Sequence, residues 1–230
     1  RAFGIEFTSA EGSRELAWTT SWGSSTRMVG GLIMVHGDDA GLRVPPALAP
    51  TQVVVMAVKA EVVDAVHKIA ADLTDAGARV VVDDRADIPF GRRVVDWELK
   101  GVPLRIELGP RDLDSNVAIL ARRLSGGKTP VPLGELAAEV TRLLADEQRA
   151  MLEAAREERD ARIAEVSTVD DAATAGAEAW AKLPWAVLGE DGEAKLAESG
   201  VTVRCLQRPD GTVPDNETED DLVAYVARSY

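Results

Sequence analysis

Three charged residues recur at a fixed interval in the middle of this 230-residue chain. Glu98, Arg105 and Asp112 stand seven residues apart in the run from Trp97 to Asp112, WELKGVPLRIELGPRD. A guanidinium is a planar fork of donors and a carboxylate a pair of acceptors, so the three suit one ligand that offers both. A second candidate lies near the start, where Ser21-Trp22-Gly23 precede Arg27. Small residues let a ligand approach the backbone, Trp22 offers a flat apolar wall, and an arginine heading an apolar segment suits a triphosphate. His36 and Asp38 follow without a nucleophile and are read as structural.

The elements that must position these residues follow from apolar spacing. Ala2–Phe7 and Leu16–Trp22 read as strands, with a turn at Glu11-Gly12, and Met28–Val35 as a helix or strand. Pro45, Pro46 and Pro50 make a stiff linker and a domain boundary. The β-branched run Gln52–Val58 predicts a strand buried on both faces. Val62, Val66, Ile69 and Leu73 predict a helix over 60–76, closed by Gly77. A strand at Arg79–Val82 and a helix at Pro89–Lys100 come next, with Val94, Val95 and Leu99 inward and Trp97 in the core. Gly101 stops that helix and Pro103 opens a strand, Leu104–Leu108, whose alternation gives Arg105 and Glu107 a polar face. Asn116–Leu120 predicts an antiparallel neighbour, completing a compact α/β domain with a mixed sheet.

From Leu133 a long amphipathic helix is predicted to about Val166, its stripe formed by Leu136, Val140, Leu143, Leu144, Met151, Leu152 and Ile163. A helix over 168–181, a strand over Gly200–Leu206 and a last strand over Leu222–Tyr230 make an α+β C-terminal region. With one cysteine, Cys205, no internal disulfide is possible, and a four-ligand Zn²⁺ site is not expected. The acidic run Asp215–Asp221 lacks EF-hand spacing and reads as a solvated loop.

Composition narrows the function classes. No apolar run approaches the ~20 residues of a membrane span, no signal peptide is evident, and Arg1 suggests a processed or truncated start. The net charge of −13 is unevenly spread. Residues 134–230 carry 10 basic and 22 acidic side chains, whereas nine basic and six acidic ones lie between Arg85 and Lys128. A phosphate backbone therefore has a place to dock in mid-chain, exposed charges beyond ~8 Å being largely screened. Gly126-Gly127-Lys128 lacks the spacing of a phosphate loop and reads as a turn with a lysine.

Two strings carry a family resemblance. The run WELKGVPLRIELGPRD resembles the anticodon-binding domain of prolyl-tRNA synthetases of the archaeal and eukaryotic type. SWGSSTRMVG, followed by MVHGD and GLRVPP, resembles the last segment of their class II catalytic domain. The resemblance implies a remnant of the antiparallel class II catalytic sheet over residues 1–50, an anticodon-binding domain over 51–133 and a C-terminal domain over 134–230, which the single cysteine is expected to leave zinc-free although many members of the family carry a four-cysteine zinc site there. It assigns Arg27 to the ATP phosphates and Ser21, Trp22 and Gly23 to the proline and adenylate pocket. Glu98, Arg105, Arg111, Asp112 and Lys128 become residues that read or hold a proline anticodon. It also implies ATP with Mg²⁺, proline and tRNA(Pro) as partners, no DNA, and a homodimeric cytoplasmic enzyme in its intact form, while the lack of an apolar span and of Cys and His ligands leads to the expectation of no membrane and no metal held by this chain. Tyr230 is expected to be ordered and buried. The first two class II motifs are absent, so the chain is expected to be the inactive C-terminal half of an enzyme. Two other readings are a non-catalytic RNA-binding protein reusing the anticodon-binding domain, and a flavodoxin-like nucleotide-binding domain, which the missing phosphate loop disfavours.

Overall fold

The computed structural model describes residues 3–228. They divide into two compact units, residues 1–144 and 145–230. In the first, β1 (Glu6–Thr8) and β2 (Arg14–Leu16) form an antiparallel hairpin, followed by α1 (Arg27–His36) and the two-residue strands β3 (Gly37–Asp38) and β4 (Gly41–Leu42). The predicted N-terminal strands are thus shorter than expected, and Met28–Val35 is helical. No residue of α1 is buried.

After the proline-rich segment come β5 (Val53–Ala57), a 3₁₀ turn over Ala60–Val62 and α2 (Val63–Asp75). β6 (Val80–Asp83), α3 (Phe90–Leu99), β7 (Leu104–Leu108), α4 (Pro110–Asp114), β8 (Val117–Arg122) and β9 (Lys128–Pro132) complete a five-stranded mixed sheet of order β6-β5-β7-β8-β9. β5 lies parallel to both β6 and β7, while β8 runs antiparallel to both of its neighbours, β7 and β9. Every residue of β5 is buried, as its continuous apolar run demands. One face packs Val53, Val55, Leu104 and Ile106 against Val66 and Leu73 of α2 and Leu136 and Val140 of α5 (Leu136–Ala161). On the other, Val54 and Met56 meet Phe90, Val94 and Trp97 of α3.

This corrects the expected face of α3. Val95 and Leu99 are exposed, and the position between Phe90 and Val94 that faces the sheet belongs to Arg93, which is only 1% exposed. The stripe at 90, 94 and 97 follows the i, i+4, i+7 spacing of one helix face, and 95 and 99 fall off it. Leu99 serves through its backbone instead. Gly41, at φ +120°, lies where an added Cβ would stand 2.6 Å from the Leu99 Cα, and Gly101, at φ +71°, lies equally close to Leu42. The hairpin β3–β4 is therefore pressed onto the end of α3 by two glycines that no L side chain replaces without strain. The proline segment is also fastened. Arg79 donates to the carbonyls of Pro46, Ala47 and Ala49 at 2.8, 3.3 and 2.8 Å, and Gln52 Nε2 donates to Pro46 O.

The second unit continues with β10 (Ile163–Glu165), α6 (Val169–Glu178), β11 (Trp180–Pro184), α7 (Trp185–Glu198), β12 (Val201–Gln207) and β13 (Val223–Arg228). Its sheet has order β10-β11-β13-β12, and Ala172, Leu188 and Leu196 of the two helices meet Ala181, Leu183, Val201, Ala224 and Val226 in its core. The long helix stops at Ala161, so Ile163 begins a strand rather than extending the stripe, and Leu152 is exposed. α7 has no counterpart in the sequence reading. Its Gly189 breaks the helix at φ 56°, which weakens the apolar period. Tyr230 lies outside the described residues. Among the described residues no helix is long and apolar enough to cross a membrane.

Candidate nucleic-acid interface

The strand register of the first unit stacks side chains into two rungs on the α3 side of the sheet. One reads Val81, Val54, Arg105, Ala121, Lys128 across β6, β5, β7, β8 and β9, and the other Asp83, Met56, Glu107, Ile119, Pro130. Helix α3 roofs the β6–β5 side through Val94 and Trp97. Beyond it the face opens into a hollow of about 210 Å³, lined by Glu98, Arg105, Ala121, Arg122, Arg123 and Lys128.

The side chains around this hollow form one connected network. Arg105 donates through Nε to Glu107 Oε1 at 2.8 Å and through Nη1 to Glu98 Oε1 at 3.1 Å. Lys128 Nζ donates to Glu107 Oε2 at 2.8 Å. Arg105 and Glu107 are buried, although alternation alone reads them as the wet face of a strand. The reason is that β7 is flanked by β5 and β8, so its polar face is enclosed and must pair internally. Lys128 keeps half its side chain exposed, at 52%. Arg123 ties the rim to β3, donating through Nη2 to Asp38 at 2.6 Å and through Nε to the Glu98 carbonyl. The hydrogen bond from Arg123 holds the Asp38 carboxyl below the usual carboxylate range. Burial, aided by the Arg43 charge, lowers the His36 pKa and favours its neutral form.

A second polar cluster sits on the same face at the β6 edge. Buried Asp83 accepts from Arg85 Nε and Nη2, from Arg93 Nη1 at 3.1 Å and from Trp97 Nε1 at 2.6 Å. Burial pushes its pKa up, but the hydrogen bonds from Arg85, Trp97 and Arg93 outweigh that and hold it well below the carboxylate range. Trp97 is thereby half-buried against Val54 and Met56 with its indole bonded, and the Lys100 ammonium lies 4.2 Å from its ring centre.

Of the residues singled out from sequence, Glu98, Arg105 and Lys128 come together. Asp112 does not join them. It lies beyond the far end of β7, where its Oδ2 accepts from the Gly109 amide at 2.9 Å and caps α4, and the neighbouring Arg111 is exposed. Even spacing was a poor guide here, because the strand and the turn after it do not share one period. Ser21, Trp22 and Gly23 lie in a segment without regular structure, Trp22 is 95% exposed, and Arg27 opens α1 on the surface. Sequence reasoning treated Glu107 only as polar patterning. Its signal was the charge alternation Arg105–Glu107, which becomes informative once β7 is known to be central.

A hollow with three arginine forks and a lysine beside carboxylate acceptors fits the polar edge of an unpaired base. Arginine matches guanine O6 and N7, and carboxylates accept from amino groups. Residues 52–143 match the anticodon binding domain family. Fold and match together place this stretch in the class of anticodon binding domains. The whole chain is 54% identical to proline–tRNA ligase 2 of Streptomyces avermitilis and 55% identical to the proline–tRNA ligase of Frankia casuarinae, covering 50% of each. It also superposes on the crystal structure of prolyl-tRNA synthetase from Cryptosporidium parvum complexed with L-proline and AMP. The TM-score is 0.79 at 30% identity, over 100% of this chain and 52% of that one. The chain belongs to the prolyl-tRNA synthetase family, and it spans about half the length of the curated relatives it matches.

Proposed function

We propose that this chain is the C-terminal half of a proline–tRNA ligase, an enzyme that activates proline with ATP and transfers it to tRNA(Pro), and that its first unit reads the anticodon. The observation that carries the reading is the Glu98–Arg105–Glu107–Lys128 network, open to a hollow inside the stretch that matches an anticodon binding domain. Glu98, Arg105 and Lys128 contact the bases. Arg111 and Asp112, at the other end of β7, hold a neighbouring part of the anticodon loop.

In this reading residues 1–50 are the end of a class II catalytic domain, 51–133 the anticodon-binding domain and 134–230 a zinc-free C-terminal domain. Arg27 holds the ATP phosphates, and Ser21, Trp22 and Gly23 line the proline and adenylate pocket once the other half of the enzyme surrounds them. Carboxylate attack on the α-phosphate is a matter of positioning and charge stabilisation, so Arg27 acts electrostatically. Mg²⁺ accompanies ATP. Among the described residues no group of three or more His, Cys, Asp or Glu side chains is placed to hold a metal. The intact enzyme is a cytoplasmic homodimer. A non-catalytic RNA-binding protein is the weaker reading, since identity to proline–tRNA ligases runs over the whole chain and includes the Arg27 segment.

The decisive experiment is binding of this chain to a tRNA with a proline anticodon, against a transcript with the second and third anticodon bases changed. Preference for the first, lost in Arg105→Ala, supports the reading. Equal, salt-sensitive binding to both transcripts rejects it. In the enzyme of full relative length, Arg27→Ala should depress proline-dependent ATP–pyrophosphate exchange, and unchanged exchange would remove Arg27 from the ATP site.

A further inference from the structure

Arg105 and Lys128 occupy one rung of the sheet but not adjacent strands, because Ala121 of β8 stands between them. Strands lie about 4.8 Å apart, so the two backbones are separated by about twice that distance. The methyl of buried Ala121 forms a low floor between the two long cations. What spans the gap is Glu107, one residue pair along β7 on the same face. Its Oε1 takes the Arg105 Nε and its Oε2 takes the Lys128 Nζ, each at 2.8 Å.

We propose that Glu107 is a positioning residue for base reading: it sets the Arg105 guanidinium and the Lys128 ammonium at a fixed separation across the Ala121 floor, so that they engage one unpaired base as a unit. The inference rests on the anticodon-reading function proposed above. A half-exposed lysine on its own carries about 2 kcal/mol of rotamer entropy and would face a ligand from many directions. Anchored to Glu107, it presents fewer. Arg105 is fixed in its plane by two carboxylates at once, Glu107 on Nε and Glu98 on Nη1. Two cations against two carboxylates also leave the cluster nearly neutral. The network therefore contributes direction and selectivity more than bulk attraction for phosphate, which the charged rim supplies.

The test compares wild-type chain, Glu107→Gln and Glu107→Asp for binding to the proline-anticodon transcript and to the altered one, across a salt series, with melting curves alongside. Glu107→Gln removes the charge and frees Lys128. Discrimination should fall about tenfold, the size of one good base contact, while binding to the altered transcript holds or tightens with a steeper salt dependence. Glu107→Asp keeps the charge but is one methylene too short to reach both cations. It should lose discrimination with the wild-type salt slope, and it keeps the test available if the Gln variant folds poorly. A purely structural Glu107 would weaken both transcripts in parallel, which overturns the proposal. So does either folded variant discriminating like wild type while Arg105→Ala does not. If wild type itself shows no discrimination, the anticodon reading fails and Glu107 loses its role with it.

Discussion

Two acid–base clusters share one face of one sheet, separated by Val54 and Met56 of β5. Asp83 on one side and Glu107 on the other are both buried carboxylates holding more than one cation. Their surroundings differ. Helix α3 covers Asp83 and Arg93, leaving the Arg85 side chain 42% exposed, and the cluster spends its buried donors on itself: Arg93 gives its nitrogens to Asp83 and to the carbonyls of Ala57, Asp83 and Ile88. The Glu107 cluster ends in a half-exposed lysine at the mouth of a hollow. A buried ion pair by itself says little about function. What sets the Glu107 cluster apart is the hollow that its partners Arg105 and Lys128 line.

That contrast can be broken most forcefully at Asp83. Asp83→Ala leaves Arg93 buried without its carboxylate, and urea denaturation should show a loss of about 3–5 kcal/mol; a loss below 1 kcal/mol would mean that the carbonyl partners of Arg93 suffice. The same residue predicts acid behaviour. A carboxylate whose folded pKa is depressed contributes stability that is fully present above its unfolded value, about 3.9, and is lost as pH falls below it. Urea midpoints of the first unit should therefore drop as pH is lowered from 5 to 3, and Asp83→Asn should flatten that limb. A variant titrating like wild type would assign the acid sensitivity elsewhere.

Arg105→Ala is the intermediate case. Glu107 keeps Lys128 as a partner, so the stability cost should be about 1–3 kcal/mol, smaller than at Asp83, while the preference for a proline anticodon falls tenfold or more. Finding the reverse order, with Asp83→Ala mild and Arg105→Ala severe, would exchange the roles of the two clusters. Lys128→Ala is the smallest in stability. An exposed lysine should cost no more than about 0.5 kcal/mol, and the effect should appear only in tRNA binding.

The sheet was largely legible from sequence because its signals are local. The β-branched run of β5, the four apolar residues of the helix after it and Gly101 each act over a few residues. β9 was missed since prolines 130 and 132 argue against a strand, and it is tolerated as the edge of the sheet. Arg93 was unreadable in a different way. An arginine on an apolar stripe looks like a break in the pattern until Asp83, ten residues earlier, is placed beside it by the sheet. The candidate site was legible in Glu98, Arg105 and Lys128, while the separation of Asp112 from them depends on where a strand ends, which spacing alone does not give.

The strapped proline segment bears on how this module can be moved between proteins. Arg79 holds three carbonyls of residues 46–49, and the glycine contacts at 41 and 101 lock the hairpin before them onto α3. A cut made at the first residue of the sheet would strip both from it, leaving Arg79 without acceptors and the end of α3 without its cover. The transferable cassette thus starts at about Gly37, and a fusion joined there inherits a fixed angle of attachment rather than a loose tether.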